Sequence, residues 1–310
     1  MNHIQRQSLI EITELKRLNY ITSNATYMKV LVPTDFSQCS THAINTGVQF
    51  IKKFGGQLDI LHCLDTHSNL LKDVSPNFFD PILKVVQKEL FDISRRLDLQ
   101  NIQHRVEVKN AALTEGIVAM QEYGIYDLII MGSRGLSGLS DWYLGTNTQK
   151  VIRTIENKIL IVKELKPRLE FNEVLFVTGL DNRDKRALAY FLEFIRPFEP
   201  KKLHILSVDT SGFFSQPPIV MLEALKDFKK IVRNIICETH FYPDFSIEAG
   251  VQHFSDENKL DLIAVSNHIK HPVKRFFRGS NVEAIASQIY TPIMTIDYEG
   301  ELSKQKQPLR

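Results

Sequence analysis

Lys29–Asp35 reads KVLVPTD, an apolar run stopped by Pro33 and followed by residues suited to capping a helix. A short β-branched run that is apolar on both faces belongs to a parallel strand covered from both sides. The same form returns 144 positions later as Glu173–Gly179, EVLFVTG, and the flanking chain repeats with it. Gln57–Asp65 (QLDILHCLD) answers to Lys201–Asp209 (KKLHILSVD), again 144 positions on. DLIIMGS at 127–133 matches DLIAVSN at 261–267, now 134 positions apart, and KILIVKE at 158–164 matches TPIMTID at 291–297. Matches in one order at nearly constant spacing mark a unit written twice. The reduced spacing places a deletion of ten positions before the DLIAV strand of the second unit, read here as a shortening of the helix that precedes it.

Between the apolar runs the period changes to that of a helix. Ser40–Phe54 sets Ala43, Ile44, Val48, Phe50 and Ile51 mostly on one face, and Pro81–Leu97 does so with Ile82, Val85, Val86, Leu90, Ile93 and Leu97. Strands alternating with helices give an α/β fold with a doubly wound parallel sheet, expected to hold five strands in each unit. The boundaries follow: an extension over 1–27, a first domain over 28–165, a linker at Lys166–Phe171 (KPRLEF), a second domain over 171–298 and a polar tail over 299–310. The extension has no counterpart in the second unit. Ile10, Leu15 and Leu18 suit a short amphipathic helix there, and a translation start at Met28 is the other reading.

The chain has 310 residues, 43% hydrophobic and 24% charged, as in ordinary globular proteins, and its length suits two domains. Its 38 basic and 36 acidic residues nearly cancel and are spread along the chain, which gives no electrostatic reason for a nucleic acid or membrane partner. Cys39, Cys63 and Cys237 have neither CxxC nor metal-ligand spacing and read as reduced thiols, and the N-terminus lacks a secretory h-region, so a cytoplasmic protein is expected.

The chemistry is carried by Gly132-Ser-Arg-Gly135, then nine residues, then Gly145-Thr146, a G-x2-G-x9-G-[ST] pattern that follows the strand 128–131. Glycines leaving a parallel strand let backbone N–H groups approach an anion without a Cβ in the way. Gly145, Thr146 and Asn147 should open a helix whose unpaired amides and positive dipole end attract phosphate, with Arg134 as a nearby cation. A plain turn followed by a helix cap fits the same residues. The loop has neither the GK[ST] of a Walker A motif nor GxGxxG.

Val30–Ser37 (VLVPTDFS), the LHCLD segment at 61–65 and the spaced glycines with their VIRTIENKILIVK continuation together resemble the universal stress protein family. The resemblance is close from Met28 to Lys163 and weak from 172 to 297. It implies a strand order of 3-2-1-4-5 in each unit and pairing of the last strands, Ile159–Val162 with Ile293–Ile296, inside one chain. It implies too that the first domain belongs to the ATP-binding branch, with ATP or another adenine nucleotide and Mg²⁺ as ligands. By matching position, Asp35 would contact the nucleotide and approach the metal, directly or indirectly. Pro33 and Thr34 would wall the adenine, the Cys63 backbone would meet its edge, and Gly132, Gly135, Gly145 and Thr146 would line ribose and phosphates. Ala111 stands where many members carry glycine. Other readings compete: Asp35 or Ser37 suits a helix cap, His62 a core histidine, and Trp142 packing.

In the second unit Ser266 stands opposite Gly132, Ile269 opposite Gly135 and Gly179 opposite Asp35, with Gly279-Ser280 left opposite Gly145-Thr146. Triphosphate binding is not expected there. Lys270, His271, Lys274, Arg275 and Arg278 nearby suit either a different anion or solvated surface. The first unit supplies a cradle without an evident general base or nucleophile, so nucleotide-dependent stress regulation ranks above a slow ATPase or phosphotransferase, and above a nucleotide-independent scaffold. Homodimers remain open.

Overall fold

The computed structural model describes residues 27–66, 79–122, 126–133, 144–210, 217–266 and 275–296. The first half runs β1 (Met28–Pro33), α1 (Gln38–Phe54), β2 (Gly56–Cys63), α2 (Phe79–Ser94), a single turn α3 (Leu97–Gln100), β3 (Gln103–Lys109), α4 (Leu113–Glu122), β4 (Leu128–Gly132), α5 (Thr146–Thr154) and β5 (Ile159–Val162). The second half runs β6 (Glu173–Val177), α6 (Asn182–Ile195), β7 (Lys202–Asp209), α7 (Pro218–Lys229), β8 (Ile236–Pro243), α8 (Ile247–Glu257), β9 (Leu262–Ser266), α9 (Arg275–Gln288) and β10 (Ile293–Ile296).

All ten strands form one sheet, ordered β3-β2-β1-β4-β5-β10-β9-β6-β7-β8. Each half has the order 3-2-1-4-5 with parallel neighbours, so the fold class is as expected. The halves meet where β5 and β10 pair antiparallel, Ile161 opposite Ile293 and Ile159 opposite Thr295, which is the pairing the resemblance implied.

Strand alternation sorts the core into two layers. Val30, Ile60, Ile130, Phe176, Ile205 and Met294 face the side packed by α1 and α6. Leu31, Leu61, Ile129, Leu175, Ile263 and Ile293 face the side packed by α4, α5, α8 and α9. Both layers run through the middle of the sheet. At roughly 1.5–3 kcal/mol for each fully buried large aliphatic side chain, these layers supply the main favourable term of folding.

The linker is anchored as well. Phe171 is buried and packs 4.6 Å from Phe198, in an aromatic group with Phe50 of α1 and Phe194 of α6. Across the midline Arg153 of α5 makes a two-pronged ion pair with Glu283 of α9, at 2.6 and 2.7 Å. Lys163 Nζ donates to the Ser287 carbonyl at 2.6 Å.

One sequence expectation is corrected. The helix before the DLIAV strand is not the shortened one: α8 has 11 residues against 10 for α4. The loss falls earlier: 8 positions separate β7 from α7 against 15 between β2 and α2, α7 has 12 residues against 16 for α2, and the chain enters β8 without a counterpart of the α3 turn. Residues 1–26 and 297–310, with the extension and tail, lie outside the described residues.

Candidate functional site

The site begins where β1 ends. Thr34 N–H continues the ladder to the Leu61 carbonyl, then the chain turns sharply, with Phe36 at φ 66°. A bulky residue in the left-handed region is strained and persists only where its neighbours hold it. Here Phe36 N–H donates to Thr34 Oγ1, and the Phe36 ring stacks on His62 with centroids 4.5 Å apart. Ser37 caps α1 through a hydrogen bond from Ser40 N–H. Asp35 is not the cap; its Oδ1 accepts from Ser37 N–H at 3.1 Å. Of the two competing capping residues, the turn uses Ser37.

The opposite wall comes from β4 and α5. Gly145 N–H donates to the Ser133 carbonyl, and Thr148 Oγ1 donates to the Gly132 carbonyl, so both ends of the glycine segment are clamped together. Gly145 is the N-cap of α5 and offers no side chain, so the N–H groups of Thr146 and Asn147 have no carbonyl partner within the helix. Both residues are exposed at the rim.

A cleft of about 440 Å³ lies between these walls, at the carboxyl ends of β1 and β4. That volume falls within the roughly 300–1,000 Å³ of ligand pockets. Of the candidate residues, Pro33, Thr34, Asp35, Cys63, Gly132, Gly145, Thr146 and Asn147 line it. Arg134, Gly135 and Trp142 lie outside the described residues. Ala111 is in the wall, and the cleft adds His62, Asp65 and Lys150, which the motif did not single out. Lys150 stands four positions after Thr146 on α5, a spacing from which it was readable.

Gly132 has a structural reason the motif did not give. A Cβ there would stand 2.6 Å from the Cys39 carbonyl carbon and 2.8 Å from Ser40 N, so glycine lets the first turn of α1 press against β4. Cys63 Sγ lies against Gly116 of α4, where an added Cβ would overlap it. Burial pushes the Cys63 thiol up to about 11, so it stays protonated and non-nucleophilic near neutral pH.

His62 is both a satisfied strand residue and a cleft residue. Its Nδ1 is 2.8 Å from the Thr34 carbonyl, so Nδ1 carries the proton and the neutral ring keeps Nε2 as an acceptor. Burial holds its pKa below the ordinary value of 6.5, against opposing effects of that carbonyl and of Asp35. A depressed histidine pKa means that the unfolded chain binds the proton more readily, so this contribution to stability is present above pH 6.5 and is lost as pH falls through the folded pKa. Thermal denaturation of His62→Asn, whose amide can still donate to the Thr34 carbonyl, should show a smaller loss of Tm than the parent chain between pH 7 and pH 5. Equal losses would remove His62 as a cause.

The equivalent turn of the second half repeats the backbone and changes the chemistry. Leu180 has φ 63° where Phe36 has 66°, and Asp181 is the N-cap where Ser37 is. Asp184, opposite Ser40, is buried, and its Oδ2 accepts from Gly179 N–H at 2.8 Å and from Thr178 Oγ1 at 3.0 Å. A carboxylate thus lines this cleft of about 270 Å³ where the first half has a serine hydroxyl. The surviving Gly279-Ser280 lies inside α9, which begins four residues earlier at Arg275, so it does not open a helix as Gly145-Thr146 does. Ile269, Lys270, His271 and Lys274 lie outside the described residues, as do the side chains of Arg275 and Arg278.

Residues 26–163 match the model of the universal stress protein family. A universal stress protein of Methanocaldococcus jannaschii is 27% identical over 158 residues, which cover 49% of this chain and 92% of that protein. One of Bacillus subtilis is 29% identical over 147 residues, covering 44% and 99%. Among solved structures, a universal stress protein from Archaeoglobus fulgidus is similar in fold over 86% of this chain and 95% of its own, with a TM-score of 0.65 at 18% identity. A Pseudomonas aeruginosa structure matches over 89% of this chain and 96% of its own, with a TM-score of 0.62 at 12% identity. The segment from residue 26 to residue 163 is therefore similar to the universal stress protein family, within a fold whose likeness to solved structures also covers the second half of the chain.

Proposed function

We propose that the first cleft binds ATP or a similar adenine nucleotide with Mg²⁺, and that the chain is a tandem stress-response regulator whose second unit has lost that capacity. The observation that carries this is the uncapped amino end of α5 facing the carboxyl ends of β1 and β4 across the cleft. β1 lies between β2 and β4, so the chain's connections leave it in both directions, and open α/β sheets take ligands at such a switch point. Amides that have no carbonyl partner within the helix, and the positive helix end, suit phosphate, with Lys150 as the neighbouring cation. Asp35 and Asp65 on the same lining are the oxygen donors that suit a magnesium-bound phosphate chain better than a bare polyanion, and Mg²⁺ would there offset phosphate charge. His62 Nε2, an acceptor in the neutral ring, suits the exocyclic amine of adenine. In the second cleft the Asp184 carboxylate repels phosphate.

Binding ranks above catalysis because the cleft's thiol, Cys63, is protonated, and the Nδ1–H of His62 is held by a backbone carbonyl rather than by an orienting carboxylate. Slow hydrolysis is the second reading, through a water near Asp35. No helix among the described residues is long and apolar enough to cross a membrane. The three cysteines are free, in keeping with a cytoplasmic setting.

Thr146→Pro tests the reading. Proline is tolerated at the first helical position, and Gly145 at ψ 142° already has the extended conformation that proline requires before it. The substitution removes one amide and one hydroxyl from the cleft while leaving the helix intact. Calorimetry with Mg·ATP should show one site per chain in the parent and about tenfold weaker binding in the variant, a loss of about 1.4 kcal/mol. Unchanged affinity would place the nucleotide elsewhere, and no binding by the parent at millimolar ATP would favour the scaffold.

A further inference from the structure

The geometry points to a transition-metal site of the Zn²⁺ class built from His204, Glu238 and His240, on β7 and the sheet-edge strand β8, away from the nucleotide cleft. His204 is the register partner of Glu238, and His240 follows two residues later on the same face. His204 Nδ1 is 3.0 Å from His240 Nε2 and 3.9 Å from Glu238 Oε2, and His240 Nε2 is also 3.9 Å from Glu238 Oε2. A tetrahedral ion with bonds near 2.0–2.2 Å needs its ligand atoms roughly 3.4 Å apart, and the three separations bracket that value.

The surroundings suit ligation. Glu173 Oε2 lies 2.9 Å from His204 Nε2 and holds the proton on that nitrogen, which leaves Nδ1 with its lone pair toward the cluster. His204 is buried, while Glu238 is 47% exposed on its side chain, so an ion has a path in and a fourth position open to water. Phe254 of α8 walls the cluster, its ring 4.7 Å from His240 and 5.4 Å from His204. On binding, His240 shifts its proton from Nε2 to Nδ1, and Glu238 exchanges its ion pair with Lys202, at 3.1 Å, for the metal. No net proton need leave the imidazoles. Two imidazoles and one carboxylate select Zn²⁺ and its neighbours over Ca²⁺ or Mg²⁺. The ion would tie the edge strand β8 to β7, since among the described residues β8 pairs with no other strand.

Titration of the chelator-treated full chain with Co²⁺ should give visible absorption bands of tetrahedral cobalt at one equivalent, displaced by Zn²⁺. Chelator competition should then show Zn²⁺ affinity about 100-fold weaker in His240→Gln and 10–100-fold weaker in Glu173→Gln. Lys202→Met, which frees Glu238 from its competitor, should bind Zn²⁺ several-fold more tightly, and it tests the site even if a histidine variant fails to fold. Absence of the cobalt bands, thiolate charge-transfer bands in their place, equal affinity in folded His240→Gln, or no gain in Lys202→Met would overturn the assignment.

Discussion

A chain carrying Gly132→Val is expected to lose nucleotide binding and a large part of its stability together. The valine Cβ would meet backbone rather than a side chain that can swing aside: 2.6 Å from the Cys39 carbonyl carbon and 2.8 Å from both its oxygen and Ser40 N. Either β4 or the first turn of α1 must move. That turn holds the Ser37 cap and adjoins Asp35, while β4 leads into the segment clamped by Thr148 and Gly145. Overpacking against backbone costs on the order of 3 kcal/mol, read as a fall of roughly 5–10 °C in Tm. Gly179→Ala is the control. An added Cβ there meets only Asp184 Oδ2, at 3.7 Å, an ordinary contact, so Tm should move little. If Gly132→Val melts with the parent and binds Mg·ATP normally, both the packing argument and the placement of the nucleotide fail.

The second large effect is expected away from the cleft. Asp59 is fully buried on β2, where Oδ2 accepts from Arg105 Nη2 at 2.8 Å and from Tyr126 Oη at 2.5 Å, and Oδ1 accepts from Gln57 Nε2 at 2.6 Å. The same group raises the pKa of Arg105, mainly through the hydrogen bond to Asp59, and that of Tyr126, mainly through burial and next through the same carboxylate. Arg105→Leu strips the buried carboxylate of its cation and leaves it two neutral donors. Since the Arg105 side chain is itself a third exposed, the expected loss is about 2–3 kcal/mol, at or below the lower end for a broken buried pair. The triple variant Asp59→Leu, Arg105→Leu, Tyr126→Phe should recover most of it, because no buried charge then remains and only the half-buried Gln57 amide, which water can reach, loses a partner. Urea denaturation of the two variants decides the matter: similar losses in both would mean that the cost is packing, not charge.

The layered α/β architecture was legible because its strands are short, apolar on both faces and repeated, and that pattern has few other physical meanings. Strand order was not legible from periodicity and came with the family resemblance. The glycine motif placed Gly132, Gly145, Thr146 and Asn147 at one cleft, yet spacing alone could not show that Gly132 is required by the backbone of α1. The departure of the second unit from the motif was visible as lost glycines. A further difference, Asp184 in the place of Ser40, appears only when the two turns are compared by their left-handed residues, Phe36 and Leu180. Phe171 looked like the end of a linker because nothing local marks a residue that packs against two distant helices. Of the metal-binding trio, Glu238 and His240 share a face by spacing, but His204 joins them only through strand pairing.

The antiparallel step between β5 and β10 has an effect on how the molecule presents itself. Because strand direction reverses there, the carboxyl ends of β1 and β4 and those of β6 and β9 point to contrary margins of the sheet. The molecule is thus two-faced, and no single small ligand can span both openings. The β5–β10 ladder and the Arg153–Glu283 bridge between α5 and α9 are among the contacts that fix these two margins relative to each other.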